Sequence, residues 1–134
     1  MGKKTIILIV DDEDRNRRLM EALLLPMGYE VLQAVNGKDA IEKAKEMSPD
    51  VILMDVMMPV MDGFEAVKVL KQDEETQIIP VVMVTALREV NDRIRAMEAG
   101  ADDFLSKPVD KTELRTRVQT LVKVKAYNDH LRNY

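Results

Sequence analysis

Five strand-length apolar runs, separated by segments with helical periodicity, leave this chain very few ways to fold. The first, Ile6–Val10 (IILIV), shows no polar alternation and is mostly β-branched. A half-exposed strand alternates, so this run belongs inside a sheet covered on both faces, the usual setting of parallel strands. Runs at Glu30–Ala34, Val51–Met54, Val81–Val84 and Phe104–Leu105 read as four more strands. Between them, Leu19, Met20, Leu23 and Leu24 recur at helical spacing, and Pro26 and Gly28 stop that helix. Asn36-Gly37 leads into a helix whose expected inner face is Ala40, Ile41, Ala44 and Met47. Phe64, Val67 and Leu70 mark a third helix, and Val90, Ile94 and Met97 a fourth that ends at Gly100. Asp110, with Glu113 three residues on, has the form of a capping box opening a fifth. Strict β–α alternation predicts an α/β fold, a five-stranded parallel sheet with helices on both faces.

In an open sheet of this kind, ligands bind beyond the carboxyl ends of the strands. Asp11, Asp12 and Glu13 follow the first strand, Asp55 the third, Thr85 and Ala86 the fourth, and Ser106, Lys107 and Pro108 the fifth. If strands one and three are neighbours, as in the order 2-1-3-4-5, Asp11, Asp12 and Asp55 converge. Three carboxylates in one place repel unless neutralised. Mg²⁺, which prefers one or two carboxylates with waters and phosphate oxygens, is the natural counterion. Formally, three carboxylates (−3), Mg²⁺ (+2) and Lys107 (+1) sum to zero. A phosphoryl group on one carboxylate would meet a metal, an ammonium and the Thr85 hydroxyl, the groups on which phosphoryl transfer depends. Taken singly, each of these residues has a plainer reading: a solvated loop acid, a strand-end threonine, a surface lysine. Their joint occurrence at successive strand ends argues for a site.

Composition removes most competing chemistries. The 134 residues suffice for one domain, and 46% hydrophobic with 33% charged residues is a globular balance. There is no cysteine, which excludes disulfides and thiolate chemistry, and the only histidine, His130, lies near the end. The net charge of −4 gives no general attraction to nucleic acid. No apolar window reaches membrane-spanning length, and the start lacks the apolar stretch of a signal peptide. A cytoplasmic protein with carboxylate, hydroxyl, lysine or metal chemistry is expected.

IILIVDDE, DVILMDVMMPVMDGFE, PVVMVTA and GADDFLSKP, in that order, resemble the signature of the response-regulator receiver family of two-component signalling. The resemblance covers residues 5–122 and extends to the receivers of chemotaxis and diguanylate-signalling regulators. It implies a flavodoxin-like order 2-1-3-4-5 and a signalling domain that catalyses only its own phosphorylation and dephosphorylation. Asp55 would be the phosphoacceptor, receiving its group from a histidine kinase, a histidine phosphotransfer protein or a small acyl phosphate. Asp12 would bind Mg²⁺ (or Mn²⁺) directly, Asp11 mainly through water, and the Met57 backbone carbonyl would complete the protein ligands. Thr85 and Lys107 would contact phosphoryl oxygens. Thr85 and Phe104 would be the switch residues of the helix 4–strand 5–helix 5 face, and Lys107–Pro108 a cis peptide. Phe104 stands where tyrosine is common, so no hydroxyl is available there. Met57 and Leu87, flanking the phosphoryl group, are apolar and offer nothing to orient water, which implies slow self-dephosphorylation.

Several further features have two readings. Asp14 is expected to be a helix N-cap, Glu13 either holds a metal-bound water or faces solvent, and Asp62-Gly63 is turn chemistry. Arg15, Arg17 and Arg18 open the first helix, where the macrodipole disfavours cations; they form an exposed basic face or a docking site for the histidine-bearing partner. The last helix, running from Lys111 to about Leu131, exceeds what the sheet can cover. Leu114, Leu121, Val124, Asn128 and Leu131 form a weak seam. Residues 1–122 are thus expected to be the receiver, and 123–134 a helical extension that leads to an output domain absent from this chain or pairs two copies. A phosphohydrolase with an aspartyl intermediate is the enzyme rival, but its D-x-D-x-T run is here Asp11-Asp12-Glu13-Asp14-Arg15. A pseudo-receiver, the binding-only rival, usually loses an acid or the lysine; none is lost here.

Overall fold

A computed structural model of the chain describes residues 4–86 and 90–132. Strands β1 (Ile6–Val10), β2 (Glu30–Ala34), β3 (Val51–Met54), β4 (Val81–Thr85) and β5 (Asp103–Ser106) make one parallel sheet in the order 2-1-3-4-5. They alternate with helices α1 (Asp14–Leu24), α2 (Gly37–Met47), α3 (Gly63–Gln72), α4 (Val90–Ala99) and α5 (Lys111–Arg132). The expected architecture is therefore present, with β4 and β5 each slightly longer than the apolar pattern alone indicates.

Alternate strand residues face opposite sides, and each side has its own core. Leu8, Val10, Ile52, Met54 and Met83 pack with Phe64, Val67 and Leu70 under α2, α3 and α4. Ile7, Ile9, Leu53, Val82 and Leu105 pack with Met20, Leu24, Leu114 and Val118 under α1 and α5. The run IILIV is continuous because both of its faces are covered.

Three helix starts are capped by side chains, the expected one at Asp110 and two more at Asn36 and Asp62. Asn36 accepts the Asp39 amide (2.8 Å), Asp62 the Glu65 amide (2.9 Å) and Asp110 the Glu113 amide (2.8 Å). Helix α1 departs from expectation. Asp14 is its first helical residue rather than its cap, and Glu13 at the cap position makes no side-chain cap bond. Asp11 Oδ1 accepts the Glu13 amide instead (2.9 Å), and Asp14 pairs with Arg17 and Arg18.

The expected inner faces were too wide. Leu19, Met47, Ile94 and Met97 are all exposed. Helix α2 is buried through Ala40 and Ala44 and α4 through Ala96 and Ala99. Small residues let these helices lie close to the sheet, and their larger neighbours stay outside the contact. Helix α5 has Leu114 and Val118 in the core, within the turns that the sheet covers. Val124, Tyr127 and Leu131 are exposed. On the opposite side Lys125 is buried, bonded to Asp129 (2.6 Å) and near Asp50 (3.9 Å), which itself accepts the Ile6 amide.

Candidate functional site

The strand order places the ends of β1 and β3 side by side, with Val10 opposite Met54. The residues that follow, Asp11 and Asp55, are thereby neighbours, and the Asp55 amide donates to the Val10 carbonyl (2.9 Å). Asp11, Asp12 and Asp55 each offer a carboxylate oxygen, and these oxygens all lie within 4.8 Å of one another. Asp11 and Asp55 are buried while Asp12 is exposed. Lys107 enters from the loop after β5, its Nζ 2.9 Å from Asp11 Oδ2 and 3.5 Å from Asp55 Oδ2. Its amide donates to the Thr85 carbonyl (2.9 Å), which ties the β5 loop to the end of β4. The Lys107–Pro108 peptide is cis, as expected.

Burial raises the Asp55 carboxyl to about 6; the nearby Asp11 charge adds to the rise, while Lys107 and the Val56 and Met57 amides oppose it. Burial lowers the Lys107 ammonium, but the bond to Asp11 and the charges of Asp55 and Asp11 outweigh this and leave it raised. Asp55 is thus a carboxylate whose charge the protein only partly compensates. Oxygen ligands arranged this way, with an excess of negative charge, suit a hard divalent cation.

The remaining expected residues fall around this cluster. Thr85 is buried at the end of β4, in register with Ser106. Phe104 is buried beneath Arg93, whose guanidinium lies 5.6 Å from the ring centre. Met57 projects its side chain into solvent. Leu87 lies outside the described residues.

Two residues matter more than the sequence suggests. Gly63 reads as turn chemistry, yet a Cβ there would sit 2.3 Å from the Asp55 carbonyl oxygen and 2.9 Å from Val56 Cα. Only glycine lets α3 start against the backbone that carries Asp55. Arg17 was expected on an exposed basic face with Arg15 and Arg18; it is buried. Its Nη1 donates to the Asp11 carbonyl (2.7 Å), Nε to Gln33 (3.0 Å) and Nη2 to Asp14 (3.2 Å). An arginine early in a helix, where the dipole opposes it, is the one sequence sign that such a partner exists.

A five-stranded parallel sheet carrying acids at the ends of β1 and β3 and a lysine after β5 defines a class, and the comparisons agree. Residues 7–119 match the response regulator receiver domain, and the chain belongs to that family, a family of signalling domains in two-component response regulators. It is 49% identical over 126 residues to the response regulator PleD of Caulobacter vibrioides, covering 94% of this chain and 28% of PleD. It is 42% identical over 117 residues to the transcriptional regulator RpaA of Synechocystis, covering 87% of this chain and 48% of RpaA. The chain therefore spans between about a quarter and a half of these relatives. Among solved structures, the chemotaxis protein CheY4 of Vibrio cholerae superposes with a TM-score of 0.83 at 33% identity, over 89% of this chain and 99% of CheY4. The receiver domain of the Pseudomonas aeruginosa sensor histidine kinase PA1611, with a magnesium ion coordinated in its active-site cleft, gives 0.84 at 32% identity, over 90% and 99%. No helix among the described residues is long and apolar enough to cross a membrane.

Proposed function

We propose that this chain is a phosphorylation-switched receiver in which Asp55 accepts a phosphoryl group. The observation that carries this reading is the meeting of Asp11, Asp12, Asp55 and Lys107 in one small cluster built from three different loops. An Asp55 carboxylate oxygen attacks the phosphorus of a phosphohistidine or acyl phosphate. The bond from phosphorus to the donor nitrogen or oxygen breaks, and its electron pair leaves with the donor. Lys107 balances charge on the phosphoryl oxygens, and Thr85, one strand end away, supplies a hydroxyl to them.

Mg²⁺, with Mn²⁺ as a substitute, fits the donor set: Asp12 as a direct ligand, Asp11 through water, Asp55 and the Met57 carbonyl. Bound there, it would neutralise negative charge developing on the transferred group.

Phosphorylation would then bias Thr85 and Phe104 and so the face formed by α4, β5 and α5. Partners consistent with this are a histidine kinase or phosphotransfer protein at α1, where Arg15 and Arg18 are exposed, and a second copy through α4–β5–α5 or the exposed α5 stripe. Residues 123–134 would lead to an output domain, a reading supported by the chain's covering 28% of PleD and 48% of RpaA. The setting is cytoplasmic, with no direct contact to nucleic acid or membrane.

Incubation with Mg²⁺ and acetyl phosphate, followed by intact mass measurement, tests the reading. One phosphoryl adduct should form and be absent from Asp55→Asn. Turnover of many phosphate esters would point to a hydrolase instead, and no adduct at all to a pseudo-receiver. Charge reversal at Arg15 and Arg18 should slow transfer from a kinase and spare acetyl phosphate labelling; equal loss by both routes would reject the α1 docking site.

A further inference from the structure

Resting on the metal-site reading above, we infer that Arg17 is a positioning residue for the cation, acting through the peptide that joins Asp11 to Asp12. The carbonyl that Arg17 Nη1 holds at 2.7 Å belongs to that peptide. A peptide unit is planar, so fixing its oxygen fixes the direction in which the chain delivers the Asp12 Cα. The other groups of Asp11 are held separately. Its amide donates to Ala34, Oδ1 accepts from Glu13 and Oδ2 from Lys107. Asp12, by contrast, is exposed, so its placement depends on the backbone that precedes it.

The guanidinium is itself firmly placed. Arg17 is 9% exposed, in the second turn of α1, and its Nε reaches Gln33 on the neighbouring strand β2 at 3.0 Å. Gln33 is gripped in turn, its side-chain amide nitrogen donating to Glu21 and its main-chain carbonyl accepting from Lys43. Asp14 takes the remaining corner of the fork at 3.2 Å. The result is a brace from β2, through one planar side chain, to the loop that carries the acids. Only a guanidinium supplies three such donors in fixed relative directions; an ammonium is a point charge without that geometry.

Two effects of Arg17 on a cation oppose each other. Its positive charge repels the metal, while its geometry places the ligands. Asp14 offsets the charge locally, so geometry should prevail. Outer partners that orient ligands are commonly worth about 10- to 100-fold in metal affinity.

Calorimetric titration of the full chain with Mg²⁺ separates the two effects. Arg17→Met removes charge and brace, and Arg17→Lys keeps the charge but loses the fork. Both should weaken Mg²⁺ binding by about 10-fold. Tighter or unchanged binding in Arg17→Met, or wild-type binding in Arg17→Lys, would overturn the inference. Leu114→Ala, in the core under α5, controls for lost stability and should leave the Mg²⁺ affinity within about twofold, since sites without shared partners act independently. A loss as large as that of the Arg17 variants would show the effect to be general loosening. Should Arg17→Met not fold, Gln33→Leu carries the test: it frees the Nε corner and should weaken binding about threefold, and no change would count against the brace. A wild-type chain that takes up no Mg²⁺ would overturn the metal reading itself, a result distinct from equal binding by wild type and variants.

Discussion

Replacing Asp55 with asparagine should stabilise the metal-free protein, although it removes the proposed nucleophile. The Asp55 side chain is only 10% exposed, and its carboxyl is raised from 3.8 to about 6. The folded state therefore holds this proton more tightly than the unfolded chain does. Well below pH 4 both states are protonated and the carboxyl costs nothing; well above pH 6 both are ionised and the full cost is present. Stability thus falls as pH rises through that window. A gap of about two units corresponds to about 3 kcal/mol at neutral pH and about 1 kcal/mol near pH 4.5. Asparagine has nearly the same shape, can accept the same backbone amides and carries no charge. Asp55→Asn should therefore gain about 3 kcal/mol at pH 7.5, or on the order of 10 °C in Tm for a domain of this size. The assay is urea and thermal unfolding followed by far-ultraviolet circular dichroism, in EDTA, at both pH values. A gain that is absent at neutral pH, or that does not shrink on acidification, would refute the burial argument. Millimolar Mg²⁺ should narrow the difference, because it stabilises the wild type selectively.

Further outcomes follow from other contacts. Gly63→Ala drives a methyl against the Asp55 carbonyl and should cost at least about 1–3 kcal/mol in urea unfolding. Adduct formation with acetyl phosphate should slow in the same variant. Thr76 is fully buried and its hydroxyl donates to the Leu70 carbonyl at 2.7 Å, so Thr76→Val should lose about 1–3 kcal/mol by the same measurement. Asn36→Ala removes the α2 cap and should lower stability by about 1 kcal/mol. The adduct on Asp55 should outlast minutes when followed by intact mass, since the exposed Met57 beside it cannot orient a water; a lifetime of seconds would reject that reasoning.

Much of the molecule was legible locally. An uninterrupted apolar run such as Ile6–Val10 has no stable place except between two covered faces, and Asp110 announces a helix start through a hydrogen bond that spans three residues. The site was partly legible because its acids and lysine sit one or two residues beyond apolar runs, where an open sheet collects ligands. Helix faces were read less well. Periodicity marks which residues share a side but not how close a helix lies, and alanines at 40, 44, 96 and 99 left Met47, Ile94 and Met97 outside.

The sequence by itself thus determined the alternation of strands and helices, the Asp110 cap and the identity of the charged groups, because these depend on neighbours a few residues apart. Tertiary structure alone decided that Lys107 lies within 2.9 Å of Asp11, ninety-six residues away, that Gly63 must lack a side chain, and that Arg17 turns inward. Each of those depends on which strand lies beside which, and strand order is set by packing the whole sheet between its helices, not by any local stretch of chain.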